Sequence, residues 1–493
     1  MPTSPEQLVG EFLREFQVSR TYLRDRITAL AEAGVSGEAD IAESATRTLF
    51  GSLIERLADS FDPEGVSLYN RLFSQLAQIW RSHPRSSFLD LDLGKLGLLS
   101  EEDMLSRAES LRSVSKLARD RTEAIQRVLV LSRVTLGADV AITSVILERF
   151  KQLLPDVEIF LLAGGKSREL FGGDCRVHIE EIGYRRGGTT IERLLAWGDV
   201  LSCVRRLTSD LRRGEYLIVD PDTRLTQLGL LPLTEFNERL TPANLEYLFF
   251  PSREYGSDTS LSLAELTCAW LNEVFAETAL THPRISLHQA DIEAARKIGS
   301  TLRGASGRQV VAINFGIGQN HLKRVTGEFE ATVVASLVRE GRAVVFDKGA
   351  GDEEGKRAGR VLEEVSSIER DGHRVRIIEL GERNLADVLS REDLDADVLV
   401  WNGRIGMLAA LIGESDLYIG YDSAGQHIAA ALQVPCIDVF AGSSSPRMLD
   451  RWKPTGKAET RVLAINSETR ASDSEKLTAN VLLTANRLLE RAR

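Results

Sequence analysis

The sequence has few cysteines and no long apolar run. Four cysteines occur among 493 residues, and no two of them have the Cys-x-x-Cys spacing of a zinc or redox site. This scatter argues against a disulfide framework and fits a reducing compartment. No stretch reaches 18 consecutive apolar residues, so no membrane-spanning helix is expected, and the N-terminus lacks the apolar core of a signal peptide. These absences predict a cytoplasmic protein.

Basic charge is also in short supply. The chain has 61 Lys and Arg against 72 Asp and Glu, a net charge of −11. Because phosphate neutralisation dominates nucleic-acid affinity, this balance argues against a nucleic-acid partner but allows a local pocket for one diphosphate. Only 11 of the basic residues are lysines, so a lysine in a glycine-containing loop stands out. The length predicts two to four domains.

The first 126 residues predict a small α-helical bundle. Apolar positions recur at helical spacing over residues 4–34, 37–60, 63–82 and 100–126, and no strand-like run interrupts them. Such a region serves as a docking or oligomerisation module, for a partner protein or a second copy, or as a structural appendage. Nothing in it points to chemistry.

Beyond residue 126, strands alternate with helices in two successive halves. The buried run 128–131 begins the first half, and the polar stretch 303–308 separates it from the second. The predicted fold class is therefore α/β, with two facing Rossmann-like, doubly wound domains over 127–300 and 301–472 and a terminal helix over 473–493. Ligands in such sheets bind at the carboxyl ends of the strands, here facing a cleft between the halves.

The most informative segment follows a strand that ends at Tyr421. Asp422, Ser423 and Gly425 form a turn into a helix, and His427 lies in its first turn. A helix N-terminus with a small, glycine-containing turn is a natural site for phosphate oxygens. The alternative is an ordinary helix cap with a packed histidine.

This segment resembles the C-terminal signature of glycosyltransferase family 9, the heptosyltransferases of lipopolysaccharide synthesis. The matching positions are Asp422, Ser423, Gly425, His427, Ala429, Ala430 and Pro435, with Ala424 inserted before the glycine. Upstream, the strand and loop 310–318 followed by Lys323 look like the family's strand, loop and lysine. The resemblance implies that Lys323 contacts the donor phosphates and that Asn314 and Gly316 lie at the donor.

Two further blocks extend the resemblance. The glycine-rich turn 346–354 looks like the family's turn before a helix, which implies that Glu353, or Glu354 as second choice, binds the donor ribose. In the first half, 127–147 looks like the family's opening strand and helix, which implies that Asp139 is the catalytic base and that Arg133 aids an anionic acceptor.

An Asp-x-Asp triplet, Asp220-Pro221-Asp222, follows a later strand. Such triplets hold Mn²⁺ in metal-dependent glycosyltransferases of another fold. The two-domain pattern fits the metal-free fold better, so we expect no metal site and place Asp220 and Arg224 on the acceptor side.

The resemblance implies the GT-B architecture, with the terminal helix packed back on the first α/β domain. The implied reaction is inverting, metal-independent transfer from a nucleotide-diphospho-sugar to an acceptor hydroxyl, without a cofactor. An ADP-linked sugar is one candidate donor, and the acceptor is a glycan, a glycolipid or a protein, which leaves peripheral attachment at the inner membrane open. The alternatives are a catalytically silent sugar-nucleotide sensor or scaffold, and an epimerase or phosphorylase of similar fold.

Overall fold

In this computed structural model the described residues are 4–113, 116–117, 119–184, 187–235, 246–318, 321–325, 328–370, 372–390, 396–442, 446–466 and 473–491.

The N-terminal region is built from helices. The N-terminal helices are α1 (Pro5–Ser19), α2 (Arg24–Gly34), α3 (Ala39–Arg47), α4 (Glu55–Ala58), α5 (Pro63–Arg81), α6 (Ser87–Lys95), α7 (Glu101–Ser113) and α8 (Arg119–Ala124). The stretch 4–34, predicted as one helical segment, is two helices because Arg20 takes a left-handed conformation (φ 59°) that ends α1.

The N-terminal helices share one core with the first sheet. Phe73 and Trp80 of α5 are fully buried in a cluster that also contains Leu129 and Leu131 of the first strand. A buried hydrogen bond from the Tyr69 hydroxyl to Gln227 Oε1 (2.8 Å) crosses the same interface. The helical region therefore covers a face of the sheet that would otherwise be exposed, and it is an integral part of the fold.

The first sheet has five parallel strands in the order β3-β2-β1-β4-β5. They are β1 (Arg127–Leu131), β2 (Glu158–Ala163), β3 (Val177–Glu181), β4 (Tyr216–Asp220) and β5 (Tyr247–Phe249). The helices of this unit are α9 (Leu136–Ala138), α10 (Ser144–Leu153), α11 (Ser167–Phe171), α12 (Thr190–Thr208) and α13 (Leu263–Phe275), with a π-helical turn, Asp139–Thr143, between α9 and α10. β1 is the central strand, so the loop after it reaches the middle of the sheet's carboxyl edge.

The second sheet has seven parallel strands in the order β10-β11-β7-β6-β12-β13-β14. They are β6 (Val310–Asn314), β7 (Ala343–Asp347), β10 (Ile377–Gly381), β11 (Val398–Asn402), β12 (Leu417–Tyr421), β13 (Cys436–Ala441) and β14 (Thr460–Ile465), and β8 (Glu369–Arg370) and β9 (His373–Arg374) form a separate antiparallel ribbon. The helices are α14 (Gln289–Arg303), α15 (Phe329–Arg339), α16 (Asp352–Ser366), α17 (Leu385–Leu389), α18 (Ile405–Gly413), α19 (Ala424–Ala431), α20 (Pro446–Trp452) and α21 (Ser474–Arg491). The strand order reverses between β6 and β12, which is the topological switch point where ligands bind in doubly wound sheets.

The terminal helix α21 packs on the second sheet, so the prediction that it returns to the first α/β domain is wrong. Val481 and Ala485 are buried in the core of the second unit. Gln309 Nε2 donates to the Leu489 carbonyl (2.7 Å), which fixes the end of α21 beside the start of β6. The apolar stripe of α21 packs against α15 and against β12, β13 and β14 of the second sheet.

None of the helices that the structure describes is long and apolar enough to span a bilayer.

Candidate active site

The site lies at the switch point, where β6 and β12 end side by side. Gly420 of β12 pairs with Asn314 of β6, and α19 begins three residues after β12 at Ala424. Ser423 is the N-cap of α19, but its side chain does not cap the helix. The first amides of a helix have no partner inside it, so α19 presents uncapped N–H groups at this edge.

Lys323 and Asp422 form an ion pair beside this helix. Lys323 Nζ lies 2.6 Å from Asp422 Oδ2 and 3.0 Å from the Asp422 carbonyl oxygen. Asp422 also accepts from Gln426 Nε2 (2.9 Å) through its other oxygen. The lysine side chain is 21% exposed and the aspartate 5%, so the ammonium group is held by the carboxylate yet still reaches solvent. The fold thereby brings together two residues that are 99 positions apart.

His427 is packed rather than exposed. It is 5% exposed, and its ring meets the ring of Trp452 edge-to-face at 5.9 Å between centroids. Burial lowers its pKa to about 4, and the nearby Lys323 acts in the same direction. The imidazole is therefore neutral at pH 7, and it can offer an anion a hydrogen bond but no positive charge.

The first α/β unit meets α19 across the cleft at Gly137. A Cβ added to Gly137 would lie 3.2 Å from His427 Cδ2 and 3.4 Å from the Ala424 Cα atom. The contact with His427 is tight for a Cβ, so a side chain at this position would require its neighbours to shift, whereas a glycine allows the two units to approach. The predicted base loop and the predicted phosphate turn are therefore direct neighbours.

Asp139 begins the π-helical turn and is almost fully buried, at 1% exposure. Its carboxylate accepts from the Arg133 amide (2.7 Å) and from three hydroxyls, those of Ser132 (2.7 Å), Thr143 (2.9 Å) and Ser167 (3.4 Å). Burial raises its pKa, against the lowering effect of these hydrogen bonds. The carboxylate holds the loop after β1, and the hydroxyl of Ser167 is its longest contact.

The residues expected on the acceptor side are mostly buried in the protein. Arg133 Nη1 donates to the carbonyls of Pro221 and Asp222, both at 2.7 Å, and burial lowers the pKa of its guanidinium to about 9. Arg224 lies 5.5 Å from the centre of the Tyr69 ring, at the boundary with the N-terminal helices. Arg133 therefore supports the loop after β4, and Arg224, which is half-buried, packs against the N-terminal helices.

Both carboxylates of the Asp-x-Asp triplet are occupied by protein groups. Asp220 is fully buried and accepts from the Thr223 amide (2.9 Å) and from the hydroxyls of Thr226 and Tyr247, both at 2.5 Å. Asp222 pairs with Arg253 (2.7 Å). Asp220 is therefore buried inside the first α/β unit and does not line the acceptor side as expected. Within the described part of the chain, no three His, Cys, Asp or Glu side chains group so as to hold a metal ion.

The glycine-rich loops of the second unit are tied together by Glu354. Its carboxylate accepts from the amides of Ile317 (2.8 Å), Gly318 (3.0 Å) and Ala350 (2.7 Å), whereas Glu353 points to the exposed side of α16. The side chain of Asn314 braces the same loop, because its Oδ1 accepts from the Gly316 amide at 2.8 Å. Glu354 therefore has a structural role here, whereas Glu353 is exposed at the start of α16.

Sequence reasoning missed Asp438, in the middle of β13. It is fully buried, and neither carboxylate oxygen has a hydrogen-bond partner among the described residues. The hydroxyls of Tyr418 and Ser423 are buried in the same neighbourhood, and neither makes a hydrogen bond of ordinary geometry to another described residue. Burial, with Asp422 nearby, raises the pKa of Asp438 well above its ordinary value. The signal was available, since an aspartate interrupts an otherwise apolar strand, Cys436–Ala441.

Comparison with known proteins gives a family match for part of the chain. The family model described as "Glycosyltransferase family 9 (heptosyltransferase)" matches residues 400–481, which run from β11 into α21. No curated protein matches the chain. The structure resembles that of a family 9 glycosyl transferase from Veillonella parvula DSM 2008, with a TM-score of 0.52 and 16% identity over 74% of this chain and 97% of that one.

A second similar structure is that of the ADP-heptose lps heptosyltransferase II of E. coli, with a TM-score of 0.47, 15% identity and coverage of 74% of this chain and 99% of that one. The likeness to the Veillonella protein shows the fold, because it extends over 97% of that chain. Residues 400–481 therefore match glycosyltransferase family 9, and the chain has the GT-B fold with an additional N-terminal helical region.

Proposed function

We propose that this protein transfers a sugar from a nucleotide-diphospho-sugar to an acceptor hydroxyl, with inversion and without a metal ion. The observation that carries the proposal is the arrangement at the switch point. Lys323, held by Asp422, stands beside the uncapped start of α19, and the Asp139 loop faces this helix through Gly137. A leaving diphosphate and a base on opposite sides of one cleft are what an inverting displacement requires.

On the leaving-group side, the amides of α19 and the Lys323 ammonium stabilise the charge that develops on the diphosphate. Asp422 keeps the lysine in place through two contacts to Nζ, so little reorganisation is needed when the charge appears. His427 is neutral because burial lowers its pKa, so it adds a hydrogen bond to the diphosphate but no charge.

On the acceptor side, Asp139 accepts the proton of the attacking hydroxyl. The acceptor hydroxyl replaces the Ser167 hydroxyl, whose contact of 3.4 Å is the longest of the four. Burial raises the pKa of Asp139, and a carboxylate of raised pKa is a stronger base at neutral pH. Closure of the two units around the donor excludes water, which would otherwise hydrolyse it.

The first test asks which donor binds. ADP-, GDP-, UDP-, CDP- and dTDP-linked sugars are screened by thermal shift, because a ligand that binds only the folded state raises the Tm. We expect one of them, an ADP-linked sugar first, to raise the Tm of the wild type and not that of Lys323→Ala. Lys356→Ala, an exposed lysine on α16, is the matched control and keeps the response. No response to any of the five would count against the proposal.

The second test asks whether transfer occurs. With the donor found, transfer to glycan and glycolipid acceptors is followed by mass spectrometry, and NMR of the product gives the anomeric configuration. We expect inversion, insensitivity to EDTA and loss of transfer in Asp139→Asn.

One observation favours a second candidate, a silent sugar-nucleotide sensor. All four donors around the Asp139 carboxylate are protein groups, as in a purely structural aspartate. The same assays separate the two functions, because a sensor binds the donor and forms no product with any acceptor. In that case Asp139→Asn would lower the stability of the fold and leave donor binding unchanged.

A further inference from the structure

A turn of the N-terminal helical region reaches both α/β units. This bridging turn, residues 58–62, joins α4 to α5. Its residue Phe61 is 1% exposed and has φ 51°, the left-handed region that disfavours a phenylalanine. Such a conformation persists where the surroundings hold it, and it often occurs where function depends on the position of the residue. The neighbours of the bridging turn therefore matter.

On one side the bridging turn is bound to the first α/β unit. Arg253 Nε donates to the Ala58 carbonyl at 2.7 Å. The same guanidinium pairs with Asp222 at 2.7 Å, so it connects the bridging turn to the loop after β4. All three residues are buried, which protects these contacts from competition by water.

On the other side the bridging turn is bound to the second unit through α20. Arg447 Nη1 donates to the Phe61 carbonyl at 2.7 Å. The Phe61 ring meets the Trp452 ring edge-to-face, with centroids 6.2 Å apart and an interplanar angle of 75°. Phe61 thus contacts the first and the last turn of the same helix.

From Trp452 the contacts continue to α19. Its ring packs against His427 at 5.9 Å, and its carbonyl accepts from Gln426 Nε2 at 3.3 Å. Gln426 in turn donates to Asp422, the partner of Lys323. A single indole therefore separates Phe61 of the N-terminal region from the helix whose first amides face the cleft.

We infer that Phe61 is a positioning residue for the nucleotide-diphosphate site, and that the N-terminal helical region is a third structural part of that site. The bridging turn sets the position of α20, and α20 holds the N-terminal turn of α19 through Trp452. Because the turn contacts both α/β units, it also sets how closely they approach. This inference rests on the proposed function for the identity of the ligand, but not for the mechanical connection.

The affinity test uses nucleoside diphosphates alone, without sugar or acceptor. ADP, GDP, UDP, CDP and dTDP are titrated into the full chain by calorimetry, with the wild type, Phe61→Ala and Phe61→Leu. We expect Phe61→Ala to weaken the best nucleotide about 10-fold, a coupling of ordinary size between connected sites, and Phe61→Leu to restore most of the affinity. Phe12→Ala is the matched control, since Phe12 is fully buried in the N-terminal helices and belongs to a different core cluster from Phe61.

Arg447→Ala serves as a second variant that leaves the N-terminal region unchanged. It removes the donor to the Phe61 carbonyl, and we expect a loss of affinity in the same direction as that of Phe61→Ala. Unchanged affinity in both variants, or an equal loss in Phe12→Ala, would overturn the inference.

Hydrogen exchange separates this inference from the proposed function. We expect Phe61→Ala to speed exchange of the amides of α19 and α20 in the absence of any nucleotide, and Phe12→Ala to leave them unchanged. If exchange responds but the wild type binds none of the five nucleotides, the proposed function fails while the connection stands. If nucleotide binds the wild type and exchange in α19 and α20 does not respond, Phe61 is not a positioning residue.

Discussion

Replacement of Asp438 should make this protein more stable at neutral pH. The carboxyl group is fully buried on the face of β13 below α19, and neither of its oxygens has a hydrogen-bond partner among the described residues. A buried polar group that lacks a partner costs about 1–3 kcal/mol of folding free energy. In Asp438→Val this cost disappears, and valine has similar volume and suits a buried strand. We therefore expect a gain of about 1–3 kcal/mol in the free energy of unfolding.

The sign of the pH dependence follows from the pKa. Burial and the nearby Asp422 raise the pKa of Asp438 in the folded state well above its ordinary value of 3.8. The unfolded chain therefore releases this proton at a lower pH than the folded protein. Its contribution to stability is fully present below the unfolded pKa and is lost as the pH rises toward the folded pKa. The advantage of Asp438→Val over the wild type should consequently increase from pH 4 upward.

Urea unfolding followed by circular dichroism at pH 4, 5.5 and 7.5 measures this difference. Asp352→Val is a suitable control, because Asp352 is exposed at the start of α16 and its replacement removes no buried carboxyl group. An Asp438→Val variant that is equally stable or less stable than the wild type at pH 7.5 would refute the reasoning, since the carboxyl group would then contribute favourably to the fold.

Three further perturbations test the site. Gly137→Val places a side chain where even a Cβ lies 3.2 Å from His427, so it should hold the units apart and weaken nucleotide binding in calorimetry, whereas Gly10→Val, with nothing within 4 Å of its Cβ, should not. Glu354→Ala leaves three amides without their acceptor and should lower the free energy of unfolding by about 2–4 kcal/mol in urea titrations; a loss below 0.5 kcal/mol would contradict its role. Because burial raises the pKa of Asp139, kcat/KM for transfer should fall with a slope of one as the pH drops below that raised pKa, and a flat acid limb would exclude Asp139 as the base.

Much of the fold followed from local patterns. Apolar β-branched runs marked β1, β6 and β12 almost to the residue, because strands buried on both faces of a parallel sheet are continuously apolar. Among the described residues, five strands were not predicted. β5 has only three residues, β8 and β9 have two each, β14 is a partly exposed edge strand, and β11 was not predicted although all but its last residue are buried. Short and edge strands carry little periodic signal of their own.

The site was predicted in part. The turn at Asp422 and the lysine at 323 were found from their motifs, and the structure brings them into an ion pair. The burial of Arg133 and Asp220 could not be foreseen, because an isolated charged residue after a strand looks the same whether it faces solvent or a buried partner. The same holds for Glu353 and Glu354, which differ only in which one faces the glycine-rich loops.

Spacing along the chain was therefore enough for the α/β class, the helical start and the phosphate-type turn, since each depends on residues within a few positions of one another. Three-dimensional packing settled the rest. It placed the terminal helix on the second sheet, buried Asp438 beneath α19, and brought Phe61 within reach of Trp452. The contacts of α21 and of Phe61 join residues more than 100 positions apart, and the burial of Asp438 depends on how α19 packs on the sheet, and neither property is written in a local pattern.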